Sequence, residues 1–583
     1  MSLKGQQLIH GTVPGDIARL GLRPIACLDS AKELNFAICL PLRDETGLTD
    51  LLHQLYDPAS PDYHHWLTVQ QFTPKFGPTR QDYQQVIDFA ETSGLAVMST
   101  SPNRMIVDVR GTVANIERTL HIKMYIYKHP EETRTFYAPG SDPSLSLSVP
   151  ISRISGLDNY SRPHPLSNPT RIVNAATPAP NAGSGPNGMY WGTDFRAAYV
   201  PDVSLNGSGE KLGLLQFEGF NQNDITYYEN YNSPSLPNVP LDTVLLDNFD
   251  GNPIGNSDFD TEVCLDIEMA ISMAPGLSDV VVYEAGPNGN YDDIITRMAS
   301  DNTCKQLSSS WSVNGDAKDS YADQVFQEMA AQGQSFFQAS GDDDAIINST
   351  WISGGDTVYS YFGFPCDDPN ITQVGGTTLT TSGAGGSYVS ETVWNTDTYY
   401  PSHHAFLGSS GGVSTLYSIP TWQQNANPSN SQMSSSERNV PYVALIADNV
   451  YVRADGADWT DQGTSCAAPL WAGFTALANE QFADNGQSSV GFINPLIYAL
   501  GQSGLYSSDF HDIPAGSSNN NAWPGSSGVY TATSGYDLTT GWGTPNGQHL
   551  INDLNSIIWS GNMAFSAVIE LLFTAYRLSE ELL

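Results

Sequence analysis

From Lys211 onward, short apolar runs alternate with helical patterns, and this alternation restricts the fold more than any other feature of the chain. Residues 211–217, 243–246, 279–283, 306–310 and 335–339 read as strands; 224–231, 260–273, 293–300 and 322–331 read as helices between them. Strands joined by crossovers of helix length pair in parallel, and a parallel sheet needs helices on both faces to bury it. The expectation over residues 190–555 is therefore an α/β domain around a mostly parallel sheet, with reactive groups at the carboxyl ends of strands.

Residues 1–160 follow a different pattern. Runs at 34–42, 96–100, 105–109 and 122–127 read as strands, with helices at 48–56, 80–92 and 113–120. The order strand, helices, two strands, helix, strand suits a ferredoxin-like split βαβ unit. Residues 161–189 are rich in Pro, Gly, Ser and Asn and read as an exposed linker open to proteolysis. In the 556–583 tail, an apolar run at 564–576 is interrupted by Glu570, which is too short and too charged to span a bilayer.

The charge balance excludes some partners. With 24 Lys+Arg against 62 Asp+Glu, the net charge is -38, which argues against nucleic acid and anionic membranes. Repulsion within so acidic a chain fades toward the sequence pI near 4.3, so an acid workplace suits it. The six cysteines show no CxxC or Cys/His metal spacing and are expected to be mostly free and buried. Met1-Ser-Leu-Lys-Gly-Gln-Gln7 lacks an apolar signal core.

The stretch Gly463-Thr464-Ser465-Cys466-Ala467-Ala468-Pro469 opens an apolar helical run. A serine there has an exposed Oγ, a free backbone N–H and the positive end of a helix dipole, which is what an acyl-transfer nucleophile needs. Taken alone, the triplet reads first as a cap on a buried helix. Its proton acceptor is the harder question. The 190–555 region holds four histidines, His403, His404, His511 and His549, none in a His-Gly-x-x-Val-Ala setting.

Carboxylates are better placed. Glu262 and Asp266 stand one turn apart on one helix face, where mutual repulsion raises at least one pKa, although a solvated acidic helix start reads the same way locally. Glu268 falls on another face and is expected in solvent. Asp342 ends a buried strand, where a protonated carboxyl can donate to an oxyanion or a plain turn aspartate can sit. Asp512-Ile513 and Thr533-Ser534-Gly535-Tyr536-Asp537 supply two carboxylates and several carbonyls, the hard oxygen donors calcium accepts.

Together these residues resemble the sedolisin family, the serine-carboxyl peptidases. Leu40-Pro-Leu-Arg-Asp44, Ser60-Pro-Asp-Tyr-His64 and Phe72-Thr-Pro-Lys-Phe-Gly-Pro78 look like its activation prodomain. Glu262-x-x-x-Asp266, Ser340-Gly-Asp342, Phe364-Pro365, Val374-Gly-Gly-Thr377, Ser409-Ser-Gly-Gly-Val-Ser414 and Gly463-Thr-Ser465 follow in family order.

The resemblance implies a subtilisin-like sheet and a four-part organisation. Residues 1–160 are the prodomain, 161–189 the linker with the processing site, 190–555 the catalytic domain and 556–583 a tail of unknown role. By it, Ser465 is the nucleophile, Glu262 its general base, Asp266 the residue that tunes Glu262, and Asp342 a protonated oxyanion donor. One Ca2+ per catalytic domain is held by the Asp512 and Asp537 carboxylates and the Ile513, Thr533 and Gly535 carbonyls. The acidic residue that assists the network in some members is Gln216 here.

The function expected is an acid-active endopeptidase made as a zymogen. Protein and peptide substrates are its partners, and its own prodomain serves as inhibitor and chaperone. The chain is expected to be an extracellular monomer with no nucleic-acid partner and no membrane span. A tripeptidyl-peptidase of the same family and an inactive peptidase-like binding protein are the alternatives. Acid is the expected trigger, because protonated carboxylates release ion pairs between the domains.

Overall fold

The computed structural model describes residues 7–130, 132–172, 182–232, 234–255, 257–313, 318–346, 350–353, 356–359, 363–400, 405–516, 519–522 and 530–559. His403, His404, the stretch 173–181 and the apolar run of the tail lie outside them.

An eight-stranded sheet organises the larger part of the chain. Its strands run Leu241–Leu245, Asp279–Glu284, Lys211–Gln216, Gln306–Ser309, Ser335–Ala339, Thr372–Thr381 and Tyr388–Val393, with Val443–Ile446 also paired to Thr372–Thr381. Every pairing is parallel except the 372–381/388–393 hairpin. From Lys211–Gln216 the chain moves to one side for two strands and returns on the other with Gln306–Ser309. The carboxyl ends of these two central strands therefore flank the point where strand order reverses, the usual place for a site in such sheets.

Two long helices pack across this sheet. Ser257–Met273 is buried from Asp260 to Met273 on every side, as expected of a helix that is not amphipathic. Ala467–Asp484 begins just past the Thr464–Cys466 turn and is buried through most of its length. The two approach closely at Gly473, where a Cβ would come within 2.8 Å of the Met273 Cβ. A glycine there lets the helix carrying Glu262 lie against the one that starts beside Ser465.

The N-terminal part forms a second sheet in the order Ala96–Thr100, Ile106–Thr112, Glu33–Cys39, Arg153–Ser155, all antiparallel. This is the ferredoxin-like order, but its fourth strand is Arg153–Ser155. The run expected to fill that place, Met124–Lys128, pairs instead with Ala26–Cys27 and Thr135–Pro139 in a separate sheet. The run is a strand as its period-2 pattern predicts, but alternation names no neighbour, and its partners differ.

This part docks on helices Tyr291–Asp301 and Ser320–Ala331. Leu42 N–H donates to Gln324 Oε1 (2.8 Å), Asn103 Nδ2 to Glu328 Oε2 (2.8 Å) and Ser155 Oγ to Asn290 Oδ1 (2.9 Å). Arg153 pairs with Asp319 and Asp292. Trp66 seats against Gly333 and Gly491, and Tyr56 bridges the Ala330 carbonyl and the Phe492 N–H. No described helix is long and apolar enough to cross a membrane. None of the six cysteines is disulfide-bonded, and all but Cys27 are buried.

Candidate active site

Four chain segments converge at the carboxyl end of the central strands. Ser465 sits in the turn Thr464–Cys466, fully buried, with its Oγ 3.4 Å from the Ser310 carbonyl. Behind it the helix Ser257–Met273 presents Glu262 and Asp266, both without exposed surface. Their expected place on one face holds; solvation of an acidic helix start does not. Glu268 corrects the expectation of a solvated residue: it is fully buried and accepts from the Arg453 N–H.

Asp266 is held from both sides. Its Oδ1 accepts from Ser310 Oγ and its Oδ2 from Gln216 Nε2, each at 2.6 Å. The Gln216 amide oxygen is taken by the Trp311 indole N–H at 2.7 Å, and since that N–H can only donate, the amide must direct its NH2 at Asp266. Burial pushes Asp266 up to about 7, against these two donors. No hydrogen bond closes on either Glu262 oxygen. Burial raises its pKa well above the usual range and the Asp266 charge adds to this, while the Ser167 and Ser465 hydroxyls oppose it. Two carboxyls this close titrate as a pair.

Asp342 follows strand Ser335–Ala339 through Ser340-Gly341. Its Oδ1 accepts twice, from the Thr464 N–H (2.8 Å) and the Thr464 hydroxyl (2.9 Å). The Thr464 hydroxyl is free to donate because it accepts in turn from the Gly341 N–H. Burial, helped by the Asp343 and Asp461 charges, holds Asp342 far above the carboxylate range despite the Thr464 donors. Oδ1 accepts twice and Oδ2 once, from Asn168 Nδ2 at 3.0 Å, so the proton belongs on Oδ2, which lies next to Gly463.

The segment expected as an exposed linker begins inside this site. Pro163–Pro165 pairs antiparallel with Trp311–Val313, and Thr170–Arg171 with Ala457–Asp461. Between these, Leu166 N–H donates to the Ser310 carbonyl (2.9 Å), and the Ser465 N–H donates to the Leu166 carbonyl (3.1 Å). Asn168 N–H reaches the Gln462 carbonyl and Asp461 Oδ1. Leu166 and Ser167 are buried. Gly463 is required by this approach, since a Cβ there would lie 2.4 Å from the Leu166 oxygen. Ser310 and Asp461 thus stand in the site through partners distant in the chain, and Thr464, although inside the Gly463–Ser465 motif, was not singled out as the donor to Asp342.

Among the described residues no histidine hydrogen-bonds to Ser465, Glu262, Asp266 or Asp342. His511 stacks on Tyr388 with ring centroids 3.8 Å apart, and burial lowers its pKa to about 4.

Near the C-terminus, Gly535 N–H points at the Asp512 carboxylate (3.3 Å) and Thr533 N–H at Asp537 Oδ2 (2.9 Å), so one loop is bracketed by both acids. The Ser534 and Tyr536 carbonyls accept from Asn427, whereas those of Ile513, Thr533 and Gly535 accept no hydrogen bond among the described residues. Burial raises both carboxyls, Asp537 to about 6. Two acids and three uncommitted carbonyls fit a hard cation. No group of three or more His, Cys, Asp or Glu that could hold a metal occurs among the described residues.

Fold and site together define a serine peptidase of subtilisin-like architecture with carboxyl groups around its serine. Comparison with known proteins agrees. Residues 22–160 match the family described as pro-kumamolisin, activation domain. Kumamolisin from Bacillus sp. (strain MN-32) is 28% identical over 504 residues, covering 84% of this chain and 86% of that protein. Tripeptidyl-peptidase 1 from Rattus norvegicus is 24% identical over 562 residues, covering 90% and 92%. The solved structure of Pseudomonas sedolisin (serine-carboxyl proteinase), complexed with two molecules of pseudo-iodotyrostatin, superposes with a TM-score of 0.51 at 25% identity, covering 63% of this chain and 97% of that one. The chain is a serine-type peptidase with an N-terminal activation domain, made as a zymogen, and along most of its length it is similar to the serine-carboxyl peptidases kumamolisin and sedolisin.

Proposed function

We propose that the chain is an acid-active endopeptidase in which Ser465 attacks the peptide carbonyl and Glu262 takes the serine proton. Asp266 positions Glu262 and shares the pair's proton. The Ser465 N–H and Asp342 Oδ2–H stabilise the oxyanion. The observation that carries this reading is the placing of Asp342: a buried carboxyl whose Oδ1 accepts twice and whose remaining oxygen is left to hold a proton beside the serine turn. A neutral acid donates to an oxyanion; an ionised one repels it. Activity is therefore present while Asp342 is protonated and falls as pH rises through its raised pKa.

The endopeptidase reading, over tripeptidyl-peptidase action, is supported by the segment at the site. Four residues, Pro163 to Leu166, precede the carbonyl at Ser465, and Pro163 still pairs with Val313. A cleft closed after three residues would not admit a fourth.

The prodomain, with residues 163–171 laid through the cleft, acts as intramolecular inhibitor. A calcium ion at Asp512, Asp537 and the three carbonyls supplies loop stability. An extracellular monomer completes the proposal.

The test is a pH–activity profile on a peptide library for wild type, Ser465→Ala and Glu262→Gln. Losing a general base lowers kcat by about 10²–10⁴-fold. A Ser465→Ala protein that still cleaves protein at pH 4, or a Glu262→Gln protein with unchanged kcat, would refute the assignment.

A further inference from the structure

We propose that the first bond this enzyme cuts is its own Leu166–Ser167 peptide, and that the cleft selects a Leu-sized aliphatic side chain at P1 with proline accepted at P2 and P4. The inference rests on the catalytic reading above and extends it to substrate choice.

Register carries the assignment. Pro163, His164 and Pro165 face Val313, Ser312 and Trp311, and the same register continues to Leu166 opposite Ser310, where the Leu166 N–H to Ser310 carbonyl bond forms. Hydrogen-bonded pairs alternate with non-bonded pairs in an antiparallel ladder. If Leu166/Ser310 is a bonded pair, so is His164/Ser312, and Pro163 and Pro165 fall at the non-bonded places, where a missing N–H loses nothing. The two prolines match this register and no register shifted by one residue.

Beyond Leu166, the Asn168 N–H meets the Gln462 carbonyl, so the strand is held on both sides of one peptide bond. That bond is Leu166–Ser167, because the Leu166 carbonyl is the one receiving the Ser465 N–H. The Leu166 side chain joins the main apolar core and is 9% exposed. The Ser465 hydroxyl and that of Ser167, the residue that leaves, both act on the Glu262 carboxyl, lowering its pKa against burial.

The chemistry balances at this bond. In the tautomer of the pair where Asp266 holds the proton, Ser465 Oγ bonds to the Leu166 carbonyl carbon and its proton passes to Glu262. The C–N bond to Ser167 breaks and the Ser167 nitrogen takes that proton, leaving Leu166 esterified to Ser465. Water then adds at the ester carbon, its proton passing through Glu262 back to Ser465 Oγ as a Leu166 carboxyl is released.

The experiment is acid incubation of the full chain at pH 4, followed in time by intact mass and N-terminal sequencing. The expected first products are a fragment beginning at Ser167 and one ending at Leu166. Leu166→Lys should slow that cut by more than about 100-fold, because a side chain still charged at pH 4 must enter an apolar pocket. Leu166→Met, which keeps volume, should stay within about tenfold of wild type.

Acid-treated wild type gives a readout independent of variant folding. An acetyl-Pro-His-Pro-Leu aldehyde should inhibit it at least about 100-fold better than the corresponding Lys aldehyde, since a charged P1 group must be desolvated in the same pocket. A Ser465-dependent first cut elsewhere, or equal inhibition by the two aldehydes, overturns the inference and leaves the catalytic reading standing. Absence of any cut, with neither aldehyde inhibiting, overturns both.

Discussion

Asp342 offers the sharpest test of the electrostatic argument. Its carboxyl is buried, its Oδ1 accepts from two Thr464 donors, and its Oδ2, which accepts only from Asn168 Nδ2, is the oxygen with room for a proton. Replacement by Ala removes one of the two oxyanion donors; such a loss lowers kcat by about 10²–10³-fold, or roughly 2.7–4 kcal/mol of transition-state stabilisation. Replacement by Asn is the informative change. Its amide oxygen can accept from Thr464 as Oδ1 does, and its NH2 then stands where Oδ2–H stood, so most of kcat should survive, within about tenfold. What Asn cannot do is ionise. Wild type has a raised Asp342 pKa, so its activity is present below that pKa and lost as pH rises through it. The Asn variant should lose this descending limb and stay active toward neutral pH. The assay is kcat against pH from 3 to 8 on a peptide containing Pro-His-Pro-Leu, with active sites counted by aldehyde titration. An Asn variant with the wild-type descending limb would show that another group controls it, and the proton assignment to Asp342 would fall.

Two further outcomes follow from groups outside the serine site. Glu328, which accepts from Asn103 of the docked N-terminal part, is pushed up to about 8 by burial. A raised carboxyl stabilises the protonated, folded arrangement at low pH, fully below its unfolded value of about 4.5, and the stability is lost as pH rises through 8. Asp108, Asp247 and Asp293 at the same interface shift in the same direction. Thermal unfolding of the Ser465→Ala chain should therefore show docking weakening between pH 4.5 and 8, with the slope reduced in Glu328→Gln; stability rising over that range would contradict it. Among the described residues, the ion pairs that join the two parts are those of Arg153 with Asp292 and Asp319. At the C-terminal loop, calcium at 100 times its Kd should stabilise the Ser465→Ala chain by about 2.7 kcal/mol. Chelator should reverse the gain, Asp512→Ala should abolish it, and a Tm indifferent to calcium would remove the metal from the proposal.

Much of the site was legible in the sequence because its chemistry is carried by residue type and order. Helix Ser257–Met273 and strand Ser335–Ala339 announce themselves as apolar runs of helix and strand length, and a Glu and an Asp four apart must share a helix face whatever lies around them. Strand partners are another matter. The run at Met124–Lys128 looks like the fourth strand of the N-terminal sheet, yet Arg153–Ser155 takes that edge, since period 2 records two faces and no neighbour. Glu268 looked solvated because its helix was read as having an outside; with that helix enclosed on every side, the carboxylate is satisfied by the Arg453 N–H instead.

The segment around Leu166 marks the same boundary. Its prolines and serines read as an exposed linker, and nothing local says otherwise. Only when the parallel sheet brings Ser310 and the Ser465 turn to the same end does Pro163–Leu166 find donors and acceptors, and it becomes buried because its partners are there. Residue identity, then, determined which groups could take, hold or donate a proton. Folding alone decided which of them meet, since burial and hydrogen bonding depend on surroundings that distant parts of the chain supply.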